Sequence, residues 1–175
     1  MAPSPDGLGE VMLEEKAIEA EVARLGARIS SDYAGKPLHL IGVLKGAAVF
    51  LADLMRALTI PATVDFISIV PYGQVSASGV VRIRKDLDEP IESKDVLVIE
   101  GICANGLSLS YLLRNFHTRH PASLKVCAFL VKQRARPAEV AVDYVGREIP
   151  DVFVVGYGLD ANERYRNLPY IARLA

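Results

Sequence analysis

Glu100, Asn105, Gly106 and Ser108 fall close together in the run VLVIEGICANGLSLS, from Val96 to Ser110. A carboxylate closes an apolar stretch, two glycines mark a short loop, and an amphipathic segment begins at Leu107. That order reads as a buried strand, a turn and a helix N-terminus, where backbone N–H groups and the helix dipole favour a phosphate. Asn105 and Ser108 add an amide and a hydroxyl, and Gly106 lets the backbone approach the anion closely. The same residues also describe an ordinary strand–helix turn with Asn105 as its N-cap.

Other residues invite chemistry in the same way. Lys45-Gly46 follows an apolar segment ending at Leu44, and Lys132-Gln133-Arg134 follows another. Each sets a cation at a strand end, facing an anionic ligand or simply water. The run VFVVGYGLDANERYR, Val152 to Arg166, offers Phe153 for stacking on a planar base. It also offers Asp160 after a Gly-x-Gly turn, where a carboxylate reaches Mg²⁺ through water. Taken alone, Phe153 suits a core and Asp160 a turn or a helix cap. His39, His117 and His120 are isolated, and no serine has a nucleophile-elbow context, which argues against a zinc site and a serine triad.

The elements that must position these residues are legible from period. Ile18, Val22, Leu25 and Ile29 step by four, three and four, one face of a helix over Leu13 to Ile29. Gly46 opens a second helical pattern with Phe50, Leu51, Leu54 and Leu58 on one side, stopped by Pro61. Leu107 to His117 is a third. Strands are expected at 38–44, 64–70, 80–84, 96–100, 124–131 and 152–155, and Pro71 to Gly79 reads as an irregular loop. Strands alternating with helices imply right-handed crossovers. The expected fold is α/β, a central mainly parallel sheet flanked by helices, with a small hood formed by the chain ends. Ligands in such sheets sit beyond the carboxyl ends of the strands. That rule selects the loops at Lys45-Gly46, 71–79, 101–106, 132–136 and 156–160.

Composition narrows the class. At 175 residues and 51% hydrophobic, the chain is expected to form one domain over 1–175, with a disordered tail over about 1–12. Twenty basic against 21 acidic residues give a net charge of -1, so no global field draws it to nucleic acid or a membrane. The apolar runs stop well short of the ~20 residues that span a bilayer. With only Cys103 and Cys127 and no signal-peptide pattern, a reduced cytoplasmic setting is expected.

Taken together, the stretches GVLKGA (42–47), VDFISIVPYG (64–73), SGVVRIRKDLDEPIESKDVLVIE (78–100), VDYVGREIPD (142–151) and FVVGYGLDANERYRNLPY (153–170) resemble the hypoxanthine-guanine phosphoribosyltransferases of type I phosphoribosyltransferase fold. The resemblance implies purine salvage: a 6-oxopurine and phosphoribosyl diphosphate giving IMP or GMP and pyrophosphate, with Mg²⁺ as cofactor. By it, Leu44-Lys45-Gly46 matches the pyrophosphate loop, whose Leu–Lys peptide is typically cis. Asn105, Gly106, Leu107 and Ser108 match the phosphate cradle, and Lys132 the lysine on the purine 6-oxo group. Phe153 matches the ring stacked on the purine, and Val154 the main chain that holds the base. Asp160 and Glu100 match carboxylates linked to the metal, and Arg166 the arginine directed at pyrophosphate. Tyr72 lies in the matching closing loop. A homodimer or homotetramer is implied, with no nucleic-acid or membrane partner.

The departures are equally specific. The family pattern reads Glu-Asp-x-x-Asp-(Thr/Ser)-Gly-x-(Thr/Ser), and this chain keeps Glu100, Gly106 and Ser108 alone. Gly101 replaces the second acid, Ala104 the aspartate near purine N7, and Asn105 the hydroxyl residue. Pro71 replaces the serine of a Ser-Tyr pair. Ala104 accepts no proton, so the residue that serves as general base is not evident. Three readings stay open: a working transferase with acids supplied elsewhere (Asp160 or Asp86), an inactive nucleotide-binding sensor or partner subunit, and an RNA-binding regulator.

Overall fold

The computed structural model describes residues 7–71, 81–133 and 140–174. Six strands form the main sheet: β2 (Leu38–Leu44), β3 (Ala62–Pro71), β4 (Val81–Lys85), β5 (Asp95–Cys103), β6 (Ser123–Lys132) and β7 (Tyr144–Ile149). Their order is β4-β3-β2-β5-β6-β7, parallel throughout except the antiparallel β3–β4 pair. Helix α1 (Glu15–Asp32) packs beside α2 (Ala48–Ala57) on one face, and α3 (Leu107–His117) covers the other. Leu40, Leu97, Ile99 and Phe129 point to the first core, and Ile41, Val96, Val98 and Val126 to the second. Strands buried on both faces carry unbroken apolar runs, which is why LHLIGVL is legible as a strand.

The hood is a second, antiparallel sheet of β1 (Leu8–Leu13), β9 (Ile171–Leu174) and β8 (Val154–Val155). It corrects the expected tail: residues 8–12 pair with β9, Leu8 opposite Leu174. Three further boundaries differ from expectation. Helix α1 runs 15–32 rather than from Leu13 to Ile29, and α2 begins at Ala48. Strand β5 continues through Gly101 to Cys103, so Gly101 belongs to the ladder and the loop shrinks to 104–106. Strands β7 and β9 were not expected at all.

His39 occupies β2 with Nδ1 2.7 Å from the Thr63 hydroxyl, while its buried Nε2 has no partner among the described residues. Desolvation, aided by Lys94, holds its pKa below the ordinary 6.5. An imidazole that resists charging in the fold binds protons more readily once unfolded, so stability is lost as pH falls below 6.5. His39→Phe is expected to flatten that acid limb, read from denaturant midpoints between pH 7.5 and 5. An unchanged slope would show that other groups set it.

Candidate functional site

The sheet reverses its winding between β2 and β5, since the chain leaves β2 for β3 on one side and returns as β5 on the other. The crevice beyond that switch point is the place where open α/β sheets bind ligands. Leu44 to Gly46 and Gly101 to Gly106 form its two lips, and Lys132 ends the next strand along.

On the α3 side lies a cleft of about 150 Å³ lined by Glu100, Cys103, Ala104, Asn105, Gly106 and Ser108, among others. Gly106 is the N-cap at φ 74, a left-handed conformation that glycine adopts without strain. The cap falls one residue after Asn105, the residue the sequence suggested for it, and the Asn105 Oδ1 accepts the Leu107 N–H at 3.1 Å. The first helical bond runs from Ser110 N–H to the Gly106 carbonyl. The orphan N–H groups of the first turn therefore open on the cleft beside the Ser108 hydroxyl. Glu100 faces the same space. Burial, with no cation to offset it, pushes its carboxyl up to about 8.

Side chains alternate along a strand, so Gly101 faces the opposite way, toward the Leu44–Gly46 loop. A β-carbon on Gly101 would stand 2.6 Å from the Gly46 carbonyl oxygen. One on Gly158, at φ +92, would stand 2.7 Å from that same oxygen. The Leu44–Lys45 peptide is cis. Lys45 Nζ lies 3.0 Å from Glu163 Oε2, and Arg166 Nη2 lies 3.2 Å from that oxygen. Arg166 also meets Asp160 Oδ1 at 2.8 Å and donates to the Gly158 carbonyl at 2.8 Å. Lys45 and Arg166 hold the Glu163 carboxyl below its usual range, although so exposed a pair adds little stability.

The third cluster follows β6. Lys132 pairs with Asp151 at 3.1 Å and is largely buried. Phe153 is 55% exposed, which corrects its expected place in a core. It precedes β8 instead of starting it, and its carbonyl accepts the Leu174 N–H at 3.0 Å. Val154 is buried in the hood sheet against Arg173. Tyr72 and Arg134 lie outside the described residues.

Residues 10–162 match the phosphoribosyl transferase domain family. The chain is 49% identical to the hypoxanthine-guanine phosphoribosyltransferase of Mycobacterium avium, over 97% of this chain and 87% of that protein. The chain belongs to the hypoxanthine-guanine phosphoribosyltransferase family. The enzyme of that name from Bacillus subtilis is 46% identical over 94% of this chain and 92% of its own length. A crystal structure of the Bacillus anthracis phosphoribosyltransferase, with HEPES in its active site, superposes at a TM-score of 0.93 and 40% identity. It spans 96% of this chain and 99% of that one. The type I phosphoribosyltransferase fold expected from the sequence is the fold observed.

Against the family pattern, the structure brings in residues that sequence reasoning did not single out. Glu163 joins Lys45 to Arg166, Asp151 answers Lys132, and Gly158 backs the Leu44–Gly46 loop. Only the spacing of Glu163 three residues before Arg166 hinted at its role. For a divalent cation the donors fit unevenly. Glu100 offers a hard carboxylate oxygen with no partner among the described residues, whereas both oxygens of Asp160 are engaged, by Arg166 and by the Glu163 N–H. No cluster of three His, Cys, Asp or Glu exists among the described residues. Mg²⁺ suits so sparse a set, because it keeps waters and draws further oxygens from phosphates. No helix among the described residues is long and apolar enough to cross a membrane.

Proposed function

We propose that this chain binds a 6-oxopurine, phosphoribosyl diphosphate and their products, and that its chemical step is slow for its family. The observation that supports the reading is the shared strand edge. The α3 N-terminus, Lys45 and Lys132 all follow the carboxyl ends of neighbouring strands of the main sheet, with Arg166 joined to Lys45 through Glu163 and Phe153 exposed two residues after the Lys132 partner Asp151.

In the reaction, a purine nitrogen attacks the anomeric carbon, the bond to pyrophosphate breaks, and the purine loses a proton. The free N–H groups of α3 and the Ser108 hydroxyl hold the 5′-phosphate. Lys132 donates to the 6-oxo group, the Val154 main chain fixes the base edge, and Phe153 stacks beneath the ring. Lys45 and Arg166 turn from Glu163 to the pyrophosphate. Tyr72 belongs to the segment assigned to closing over this centre. Mg²⁺ held by Glu100 and phosphate oxygens would supply charge neutralisation at the leaving group. The purine proton has no acceptor at Ala104, and Gly101 offers no second carboxylate. Those two gaps support reduced turnover and keep a second reading in play, a nucleotide-binding sensor or partner subunit.

Purified protein with hypoxanthine or guanine, phosphoribosyl diphosphate and Mg²⁺ tests this directly. Slow but measurable IMP or GMP, resolved by chromatography, is the expected result. Nucleotide binding by calorimetry without any product would leave the sensor, and neither product nor binding would sink both readings.

Phe153→Ala isolates the stacking. Loss of a base–aromatic stack costs ~1–3 kcal/mol, so the GMP dissociation constant is expected to rise roughly 5- to 150-fold. Because the ring is exposed, stability should stay within about 0.5 kcal/mol. Unchanged GMP affinity by calorimetry would remove Phe153 from the base site.

A further inference from the structure

The geometry points to Gly101 as a positioning residue: its missing side chain lets the Leu44–Gly46 loop seat against β5, and a side chain there displaces the loop. The inference deepens the proposed function, since it takes that loop to be the pyrophosphate half of the site.

The Gly46 carbonyl is held between two bare backbone surfaces. Gly101 approaches from β5 and Gly158 from the 156–160 turn, and a β-carbon on either would come within 2.7 Å of the oxygen. Leu159 Cδ2 closes the third side, 3.6 Å from a β-carbon position at Gly46 and 3.2 Å from one at Gly101. The loop has little freedom to retreat. Ala47 N–H is bonded to the Val43 carbonyl at 3.2 Å, and Ala48 N–H to the Lys45 carbonyl at 3.1 Å. Gly158 exchanges bonds with Arg166 at both ends, N–H to the Arg166 carbonyl at 2.9 Å and carbonyl to the Arg166 guanidinium at 2.8 Å. Lys45, Gly46, Gly158 and Arg166 thus form one mechanical unit, and it rests on Gly101.

Adding a β-carbon at 101 requires the Gly46 oxygen to move by roughly 0.8 Å before ordinary contact is restored. The obstacle is backbone, so no rotamer change relieves it. The shift carries Lys45 and Arg166 away from their common anion position. Restoring the family's aspartate at 101 therefore weakens pyrophosphate binding in this chain instead of repairing a metal site. The motif acid was lost here together with the space for it.

The test compares wild type, Gly101→Ala and Gly101→Asp. Calorimetry measures inorganic pyrophosphate with Mg²⁺ and, separately, GMP; amide exchange by NMR follows Ala47 and Gly158. Pyrophosphate affinity is expected to fall roughly ten-fold in both variants, about 1.4 kcal/mol. GMP affinity, set by the α3 cradle and Phe153, is expected to stay within about two-fold, a split that general destabilisation does not produce. Exchange at Ala47 and Gly158 is expected to quicken. Unchanged pyrophosphate affinity and exchange in Gly101→Ala, or tighter pyrophosphate in Gly101→Asp, overturns the inference. If wild type binds neither ligand, the proposed function fails, while the exchange measurement still decides whether Gly101 seats the loop. Should Gly101→Ala not fold, Leu159→Ala takes its place. It unbraces the loop, and it is expected to quicken Ala47 exchange and weaken pyrophosphate while sparing GMP; no change in either overturns the inference.

Discussion

Ala104→Asp is expected to raise the rate of IMP formation by roughly 10²-fold, the lower end of what a positioned general base contributes. The cleft beside Ala104 measures about 150 Å³, and Ala104 is only half-buried within it, so a carboxylate has room without repacking. The adjacent N-terminus of α3 favours the anion. The low end applies because nothing around residue 104 is arranged to aim that carboxylate at a purine nitrogen. A new acid limb should accompany the gain, with activity falling as pH drops toward the ordinary aspartate value of ~4. Ala104→Asn serves as the matched control, nearly the same shape with no proton acceptor. Steady-state rates at saturating phosphoribosyl diphosphate decide the matter. An equal gain in the asparagine variant, or no gain in either, would mean that the slow step is not proton removal at this position.

Phe129→Ala is expected to destabilise the protein by ~3–5 kcal/mol, the usual cost of truncating a buried aromatic. Phe129 is 1% exposed on β6, with its ring centroid 5.0 Å from those of Phe50 and Tyr157. It joins the central sheet to α2 and to the 156–160 turn. The Tyr157 hydroxyl donates to Asp53 on α2 at 2.8 Å, and Gly158 follows directly. The cavity therefore opens behind the cations of the site as well as in the core. For a domain of this size the melting temperature should drop by roughly 6–20 °C, and weaker pyrophosphate binding should appear below the melting transition. A drop of under about 2 °C would mean that neighbouring groups collapse into the space.

The parts legible in the sequence are those fixed by local pattern. Strands β2, β5 and β6 are buried on both faces and show as apolar runs, and α1, α2 and α3 show as helical periods. Strands β1, β7 and β9 are short, mixed in polarity and in two cases interrupted by glycine, because cross-strand partners rather than local pattern secure them. Gly146 in β7 is needed by packing, since a β-carbon there would meet the Phe129 carbonyl at 2.5 Å. Gly101 misled by suggesting an early end to β5 and only a lost acid. The site was legible where residues matched the family's stretches. Glu163 was not, since a charged run reads as solvated surface. Only a turn with positive φ at Asn162 and Glu163 returns it to Lys45. Phe153 was misread in isolation because an aromatic among valines suits a core as well as a ligand platform.

The hood has a consequence for how the molecule is assembled. Its β1 and β9 come from opposite ends of the described chain, with Leu8 beside Leu174, and β9 also pairs Arg173 with Val154. The Leu8–Leu174 pairing carries the largest loop-closure entropy, so β1 joins after the six-stranded sheet has condensed. Three short strands at the rim also form a natural unit of local opening. Phe153 and Val154 belong to that unit, whereas the α3 cradle and the Gly46 seat belong to the central sheet. The hood sheet is therefore closed last on folding and released first on opening, and the proposed base residues Phe153 and Val154 share that opening, while the proposed phosphate cradle keeps the lifetime of the whole domain.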